Sequence, residues 1–411
     1  MILLIIADIL LAFGITCVFT DRILFSLVYS LILPLAMFSF RTFEEEYISE
    51  PSEQLIRTTM SAAFAVMFAV LIYSFINIRP SFRKMAFSVF VSVFVISLLN
   101  SLVSKVIRKY TKPKKYLVIG KKKEISHVLD EITEKSRGKC LFVDYINPSP
   151  EALKEKIRAH ENVLVANYEI YEHVESLLEN SRVKVEYLSE LAEKVLKRIP
   201  LEVIDRFKEY YELEFQKAKE SPAKRIVDMF GAIVGSVISC PLVLFFAIWI
   251  MIEDGRPVLF KQLRVGKNGK YFKFIKLRSL KEGGFDPNNP NGTISTRLLK
   301  VGKIIRPLRI DELPQFWLVL KGEMSLVGPR PEMVEYHRAY SNKIPYYNYR
   351  LKLKPGIAGW AQINYRHTTT LEEYKRKTEY DLYYIKNRST ILDLKIILQT
   401  IEAVFWKRGA K

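Results

Sequence analysis

The first hundred residues alternate long apolar stretches with short polar breaks. Each of four stretches is near the ~20 residues that a bilayer-spanning helix requires. They cover roughly residues 2–20, 23–40, 59–78 and 85–106. The pattern predicts a four-helix transmembrane domain over residues 1–110. A basic cluster from Lys105 to Lys115 follows the fourth stretch, and the positive-inside bias makes that side cytoplasmic. A smaller basic group at 79–84 would then face the outside, against the same bias, but the later cluster is larger and outweighs it.

From residue 111 to 200 the pattern changes to short apolar runs between charged helical segments. The runs at 116–120, 140–146 and 163–168 are typical of buried parallel strands, and the segments 124–135, 150–160 and 170–179 are typical of the helices that connect them. We therefore expect a small Rossmann-like α/β domain, followed by a helical linker at 201–220. Its first strand-to-helix turn, at Gly120, lacks the Gly-x-Gly-x-x-Gly spacing that lets a backbone approach a pyrophosphate. A structural or regulatory role is favoured over dinucleotide binding.

A fifth apolar segment, residues 229–252, is also long enough to cross a bilayer. Pro241 lies at its centre and removes a helical hydrogen bond, and Ser239 can bond to the backbone groups that are freed. Basic residues flank both ends, and the domain that follows is strongly basic, which suits the cytoplasmic face of anionic lipid. The pattern favours a re-entrant helix, which enters and returns, over a kinked span.

Composition also favours a membrane protein. Apolar residues make up 49% of the 411 residues, yet the formal net charge is +19, and a soluble protein rarely combines the two. The three cysteines are far apart and match no metal-ligand spacing, so a reducing compartment is the simplest interpretation. No nucleic-acid partner is expected.

Residues 272–279 alternate apolar and basic side chains as a strand does, which puts Lys276 and Arg278 on one face. Two cations on one face suit a diphosphate, although an ordinary solvated strand has the same pattern. Farther along, glycine and proline residues at 322–331 predict a rigid turn. That turn presents the guanidinium of Arg330, a bidentate donor for phosphate oxygens.

Asp311 and Glu312 form a carboxylate pair before an apolar stretch that stops at Gly322. Pro314 falls in the first turn of that stretch, so the pattern predicts a helix start at Asp311. Asp311 is then either a simple cap or a nucleophile that the helix N-terminal amides keep ionised. Glu312 supplies the hard oxygen that Mg²⁺ prefers. A last block, at 354–366, offers hydrogen bonds from Gln362, Asn364 and Arg366.

Together, and in this order, these blocks closely resemble the bacterial sugar transferases, the monotopic polyprenyl-phosphate phosphoglycosyl transferases. The resemblance covers the predicted C-terminal domain, residues 221–411, which we expect to be α+β. It rests on Lys224-Arg225-x-x-Asp228, the break at Pro241, Lys276-x-Arg278-Ser279, Asp311-Glu312-Leu313-Pro314-Gln315 and the segments 324–331, 355–366 and 380–385. With four helices and an α/β domain in front, the whole chain is similar to the large members that initiate exopolysaccharide or O-antigen synthesis.

The resemblance implies a two-step transfer of a sugar phosphate. The aspartate at the position of Asp311 attacks the sugar-proximal phosphorus of a UDP-sugar and expels UMP, and undecaprenyl phosphate then attacks the aspartyl intermediate. Glu312 is expected to bind the cofactor Mg²⁺, and we count Lys276 as the third catalytic residue. The residues expected to bind substrate are Arg278, Arg306, Arg330, Gln362, Asn364 and Arg366.

The implied setting is the bacterial inner membrane, with the C-terminal domain on its cytoplasmic face. The expected partners are the UDP-sugar, undecaprenyl phosphate and membrane lipid, and a homodimer is an open alternative to a monomer. Three positions depart from the usual pattern. Arg309 replaces a small hydroxyl residue, Ala358 a threonine and Tyr365 a glycine. The last two fall where donor specificity could be set, so the sugar is not assigned.

Two rival functions were weighed. A membrane-bound nucleotide-sugar dehydratase or epimerase also places an α/β domain behind four helices, but it needs the dinucleotide fingerprint that is absent at Gly120. A non-catalytic scaffold of polysaccharide assembly would be supported by the loss of Asp311, Glu312 or Lys276, and all three are present.

Overall fold

The computed structural model describes most of the chain in two compact units. The described residues are 2–20, 22–76, 81–146, 150–169, 175, 178, 183–281, 298–365, 368 and 370–405. One unit comprises Met1–Lys112 with Ile397–Glu402, and the other comprises Pro113–Ile396 with Ala403–Lys411.

The first unit is a bundle of apolar helices. They are α1 (Ile2–Thr20), α2 (Ile23–Ser39), the short α3 (Glu45–Ile48), α4 (Pro51–Ile76) and α5 (Phe82–Tyr110). Polar side chains inside the bundle pair between helices, because an apolar interior offers them no other partner. Asn100 donates to Asp8 Oδ2 at 3.0 Å, and the Tyr29 and Ser92 hydroxyl oxygens lie 2.9 Å apart. The predicted N-terminal apolar helices are confirmed, with two differences in helix length.

The first difference is that α4 starts at Pro51 rather than at residue 59. Its first turns bury the polar side chains of Gln54, Arg57 and Thr58, and Arg57 is fully enclosed. The Arg57 guanidinium donates to the carbonyl oxygen of Phe40 at 2.7 Å and to Glu53 at 3.0 Å. A count of apolar residues does not detect such a helix start. The second difference is that α2 ends at Ser39 after 17 residues, one fewer than predicted.

The second unit begins with a four-stranded parallel sheet of order β2-β1-β3-β4. Its strands are β1 (Lys114–Ile119), β2 (Cys140–Ile146), β3 (Asn162–Val165) and β4 (Lys184–Tyr187). The helices are α6 (Lys122–Lys135), α7 (Pro150–Lys156) and α8 (Leu188–Leu196). The parallel α/β architecture is confirmed. Strand β4 was not predicted, because it is short, half of its residues are charged and none is fully buried. The helix predicted at 170–179 lies, apart from residues 175 and 178, outside the described residues.

The remainder of this unit is mostly helical. Its helices are α9 (Leu201–Arg206), α10 (Lys208–Lys217), α11 (Pro222–Asp254), α12 (Lys300–Ile305), α13 (Gln315–Lys321), α14 (Val334–Tyr340), α15 (Trp360–Asn364), α16 (Leu371–Asn387) and α17 (Thr390–Phe405). Strands β5 (Leu259–Val265) and β6 (Tyr271–Leu277) form an antiparallel hairpin, and β7 (Ser325–Val327) and β8 (Gly356–Ala358) a parallel pair. A Cβ at Gly356 would lie 2.0 Å from the backbone nitrogen of Gly328, so only glycine permits this approach.

Helix α11 corresponds to the predicted re-entrant segment, and it is one continuous helix of 33 residues. Ser221 caps its start by accepting a hydrogen bond from the Lys224 amide at 3.3 Å. Pro241 lies inside the helix without interrupting it. Pro241 has no N–H, so the carbonyl oxygen of Val237 loses its helical donor. Ser239 donates instead to the carbonyl oxygen of Ser236, at 3.4 Å. The expected break in the helix is therefore absent, and re-entry stays a prediction.

Length and composition identify the helices that are able to cross a membrane. Among the described residues they are α1, the 51–72 part of α4, α5 and α11. Helix α2 is apolar but shorter than these. The chain therefore has the character of a membrane protein, with α11 as suited to crossing as any N-terminal helix.

Candidate active site

Asp311 and Glu312 lie on a single 3₁₀ turn, Ile310–Glu312. Helix α13 begins only at Gln315, so the predicted helix start at Asp311 is wrong by four residues. The preceding residue, Arg309, has φ +52°, an uncommon left-handed conformation for a residue with a side chain. That conformation tightens the chain ahead of the carboxylates, and Ile310 anchors the turn on an apolar cluster that includes Ile305.

Four cations surround the two carboxylates. Arg330 Nη2 lies 2.8 Å from Glu312 Oε1, and Arg309 Nη1 lies 3.5 Å from Glu312 Oε2. Lys276, on β6, and Arg306, at the end of α12, act electrostatically on Asp311. The structure thus brings together five of the residues that the sequence singled out: Asp311, Glu312, Lys276, Arg306 and Arg330.

The two adjacent carboxylates have opposite electrostatic properties. Burial raises the pKa of Asp311 to about 6, and the neighbouring Glu312 charge adds to this, while Lys276, Arg306 and Arg330 oppose it. Burial would also raise the pKa of Glu312, but Arg330 and Arg309 outweigh it and lower that pKa to about 2. Glu312 is therefore a fixed anion, and Asp311 titrates near neutrality. Cations, rather than the helix amides that the sequence suggested, keep Asp311 ionised.

Lys276 faces these carboxylates from the open end of the hairpin, one residue before the end of β6 and opposite Phe260. Burial lowers the pKa of its ammonium group, and the charges of Asp311 and Glu312 oppose that shift. Its Nζ lies 5.3 Å from the centre of the Phe260 ring. This apolar wall strengthens the interaction between the ammonium group and an anion, because little water screens it.

Arg278 has different partners from Lys276, although the sequence predicted one shared face. It lies just beyond β6, and its Nη2 donates to the carbonyl oxygens of Asp254 and Gly255 at 2.7 and 2.9 Å. This contact joins the end of α11 to the hairpin. Its Nη2 also pairs with the carboxylate of Asp254 at 3.2 Å. Its Nε and Nη1 are buried without a hydrogen-bond partner among the described residues.

The 354–366 block contributes a short helix, α15. Gln362 Nε2 donates to the carbonyl oxygen of Ile357 at 3.3 Å, and Gln362 Oε1 has no partner among the described residues. Asn364 Nδ2 donates to the carbonyl oxygen of Trp360 at 2.9 Å. Both side chains stabilise their own segment. Arg366 lies outside the described residues.

The donor set at Asp311 and Glu312 suits Mg²⁺. This ion is usually bound by one or two carboxylates together with substrate phosphates. Among the described residues, Glu312 Oε2 has one hydrogen bond, the 3.5 Å contact with Arg309, so this oxygen can exchange partners. The part of the chain that the structure describes has no cluster of three or more His, Cys, Asp or Glu side chains that could hold a metal. The residues fit an ion that completes its coordination with substrate oxygens.

Sequence reasoning missed the residues that hold Arg330 in position. Arg350 and Asp381 form a buried ion pair, with Nη2 and Oδ2 2.8 Å apart, and Arg350 also donates to the carbonyl oxygen of Arg330. Asp381 lies in the 380–385 motif, but nothing in that motif indicates its partner. The pair joins α16 to the turn at Tyr347–Lys352, and only the fold brings these segments together.

Residues 219–407 match the family described as Bacterial sugar transferase. A UDP-N-acetylgalactosamine-undecaprenyl-phosphate N-acetylgalactosaminephosphotransferase of Aeromonas hydrophila is 41% identical over 191 residues, which are 46% of this chain and 45% of that protein. A UDP-glucose:undecaprenyl-phosphate glucose-1-phosphate transferase of Caulobacter vibrioides is 38% identical, over 44% of this chain and 69% of that protein.

An uncharacterised sugar transferase of Bacillus subtilis, EpsL, is 40% identical over 189 residues, which are 45% of this chain and 89% of that protein. The chain thus spans less than half of the Aeromonas protein but nearly all of EpsL. The shared region contains Lys276, Asp311, Glu312 and Arg330. Because residues 219–407 match the family and the chain covers 89% of a 40% identical sugar transferase, the chain belongs to the bacterial sugar transferase family.

Proposed function

We propose that this protein transfers a sugar 1-phosphate from a UDP-sugar to undecaprenyl phosphate and releases UMP. The product is a lipid diphosphate sugar, and the reaction is the first membrane step of exopolysaccharide, O-antigen or capsule synthesis. The activities of the Aeromonas and Caulobacter relatives support the reaction class. They name different sugars, so the donor sugar stays open.

The observation that carries the proposal is the carboxylate pair among four cations. Phosphoryl transfer depends on charge neutralisation and positioning far more than on proton transfer. Lys276, Arg306 and Arg330 provide positive charge for a diphosphate beside Asp311. A pKa of about 6 leaves Asp311 roughly nine-tenths ionised at pH 7.

In each of the two proposed steps, one phosphorus–oxygen bond forms and another breaks. An Asp311 carboxylate oxygen bonds to the sugar-proximal phosphorus, and the bond from that phosphorus to the bridging oxygen breaks, so UMP leaves with that oxygen. An oxygen of undecaprenyl phosphate then bonds to the same phosphorus. The bond to Asp311 breaks and the carboxylate is restored. Mg²⁺ held by Glu312 would neutralise charge on the diphosphate oxygens.

The proposed setting is the bacterial inner membrane, with the active site on the cytoplasmic side. A re-entrant α11 would keep Asp311 at the depth of lipid phosphates. We assign the β1–β4 sheet to a Rossmann-like domain with a structural or regulatory role. A homodimer is included as an alternative assembly.

The full-length protein in lipid nanodiscs tests the reaction. With Mg²⁺, undecaprenyl phosphate and radiolabelled UDP-sugars, we expect UMP release and label in the lipid. A single turnover without the lipid acceptor should release about one UMP per active site and leave label on the protein. Asp311→Asn should abolish both signals, whereas Glu335→Gln, at an exposed position on α14, should keep them. An unchanged rate in Asp311→Asn would exclude Asp311 as the nucleophile.

A further inference from the structure

Four consecutive carbonyl groups, those of Pro329, Arg330, Pro331 and Glu332, each accept a hydrogen bond. We call these residues the 329–332 loop. Backbone amides donate to the carbonyl oxygens at the two ends of the loop. The Gly356 amide donates to Pro329 at 3.0 Å, and the Val265 amide donates to Glu332 at 2.9 Å. Pro329, Pro331 and Glu332 are buried, and four successive carbonyls with protein donors hold this backbone in one conformation.

Two arginine side chains donate hydrogen bonds to the two central carbonyl oxygens of the loop. Arg350 Nη2 donates to the carbonyl oxygen of Arg330 at 3.0 Å. Arg264 Nη1 donates to the carbonyl oxygen of Pro331 at 2.6 Å. Burial lowers the pKa of Arg264 to about 10, with the nearby Arg330 charge contributing, so it remains charged at neutral pH. Both guanidinium groups therefore act on the backbone that carries Arg330.

Arg350 is itself held from several sides. Its Nε and Nη2 donate to Asp381 Oδ2 at 3.0 and 2.8 Å, and its Nη1 to the Tyr347 hydroxyl at 3.2 Å. Arg350 is 3% exposed and Asp381 1%, so little water competes for these bonds. Glu332 adds a further anion, 3.5 Å from Arg350 Nη2 and paired with Lys377. Arg350 connects a rigid ionic network to the Arg330 carbonyl.

We propose that Arg350, supported by Asp381, is a positioning residue that fixes Arg330 for the phosphates of the UDP-sugar. It acts through the Arg330 backbone and does not touch the substrate. A displacement of about 1 Å in such a group can cost roughly 10²-fold in rate. The inference rests on the proposed transferase function, because Arg330 needs this placement only if a diphosphate binds beside Glu312.

The test uses the full-length protein in nanodiscs, with active sites counted from the UMP released in a single turnover. Arg350→Gln should lower kcat/KM per active site about 10²-fold. This variant also leaves Asp381 buried without its cation, which destabilises the fold. The double variant Arg350→Gln/Asp381→Asn removes both charges, so its thermal midpoint should recover while its kcat/KM stays low. If rate and midpoint recover together, Arg350 has only a structural role and the proposal is overturned.

A second measurement asks whether Arg350 acts through Arg330. In an Arg330→Gln background, adding Arg350→Gln should change kcat/KM little, since the group that it positions is gone. Independent, multiplying losses would refute the proposal. The exposed Arg338→Gln on α14 is the matched control and should behave as the parent protein does. If the parent protein itself released no UMP, the proposed function would be wrong. If Arg350→Gln released UMP at the normal rate, only the positioning role of Arg350 would be wrong.

Discussion

The β1–β4 sheet and the Asp311 site lie in the same compact unit but bury different kinds of groups. In the sheet, Leu117 and Val163 are fully buried, and the Lys114–Glu186 pair at 2.6 Å involves a lysine that is half exposed. In the site, Asp311 is 7% exposed, and the Glu312 and Arg330 side chains, partly buried, pair at 2.8 Å.

The two regions therefore differ in whether they contribute mainly to stability or to activity. Burial of apolar area contributes roughly 25 cal/mol per Å² to stability. Buried charges cost desolvation energy and contribute little net stability even when they are paired. Ionised groups gathered below the surface are typical of functional sites. Substitutions in the sheet should therefore lower stability, and substitutions in the site should lower activity.

The largest effect should come from Lys276→Gln. It removes a cation that faces Asp311 and the phosphates of the donor, and we expect kcat/KM to fall about 10³-fold. UMP release measures it. Lys273→Gln is the matched control, because Lys273 lies on the same strand but is exposed. Equal losses in both variants would show that the site does not depend on the placement of Lys276.

Leu117→Ala tests the other side of the comparison. Truncating this fully buried side chain should lower the free energy of unfolding by about 2–5 kcal/mol. The thermal midpoint should fall accordingly, with kcat/KM per active site unchanged. Val143→Ala, at an exposed position of β2, should leave the midpoint near that of the parent. A fall in kcat/KM for Leu117→Ala would instead link the sheet to catalysis.

Asp311→Asn should make the protein more stable above pH 6. The pKa of Asp311 is raised from 3.8 to about 6 in the folded state. The carboxyl group is therefore neutral and without penalty below pH 3.8, and stability is lost as the pH rises through 6. Asparagine avoids this loss, which amounts to about 3 kcal/mol at most. Thermal midpoints at pH 4 and pH 7.5 measure it, and a lower midpoint than the parent's at pH 7.5 would contradict it.

The pH dependence of UMP release should show the smallest effect. In the proposed mechanism only the ionised Asp311 acts as the nucleophile, so the single-turnover rate should fall about tenfold per pH unit below its pKa of about 6. Above pH 7 the rate should be nearly constant, because Glu312, with its pKa of about 2, does not titrate there. Midpoints recorded at each pH exclude unfolding as the cause. A flat profile from pH 5 to 7 would place the pKa of Asp311 below 5.

Local patterns in the sequence predicted the elements but not their exact ends. Alternation of apolar and basic residues identified the strand that carries Lys276, because residues two apart share a face. The same rule failed one step later at Arg278, which lies beyond the strand and bonds to the end of α11. The charged edge strand β4 and the polar start of α4 were missed for a related reason. Polar and charged residues interrupt the apolar pattern in both segments, and both form through contacts with neighbouring segments.

The sequence by itself determined the helical N-terminal domain, the parallel α/β sheet, the family and the carboxylate pair at the centre of the site. Each depends on residue types and spacings along a short stretch of chain. The tertiary structure alone decided that Asp311 lies on a 3₁₀ turn and that its pKa rises while that of Glu312 falls. It alone decided that Arg350 and Asp381 hold the Arg330 backbone. These properties depend on burial and on charges from distant segments, which only the folded chain brings within range.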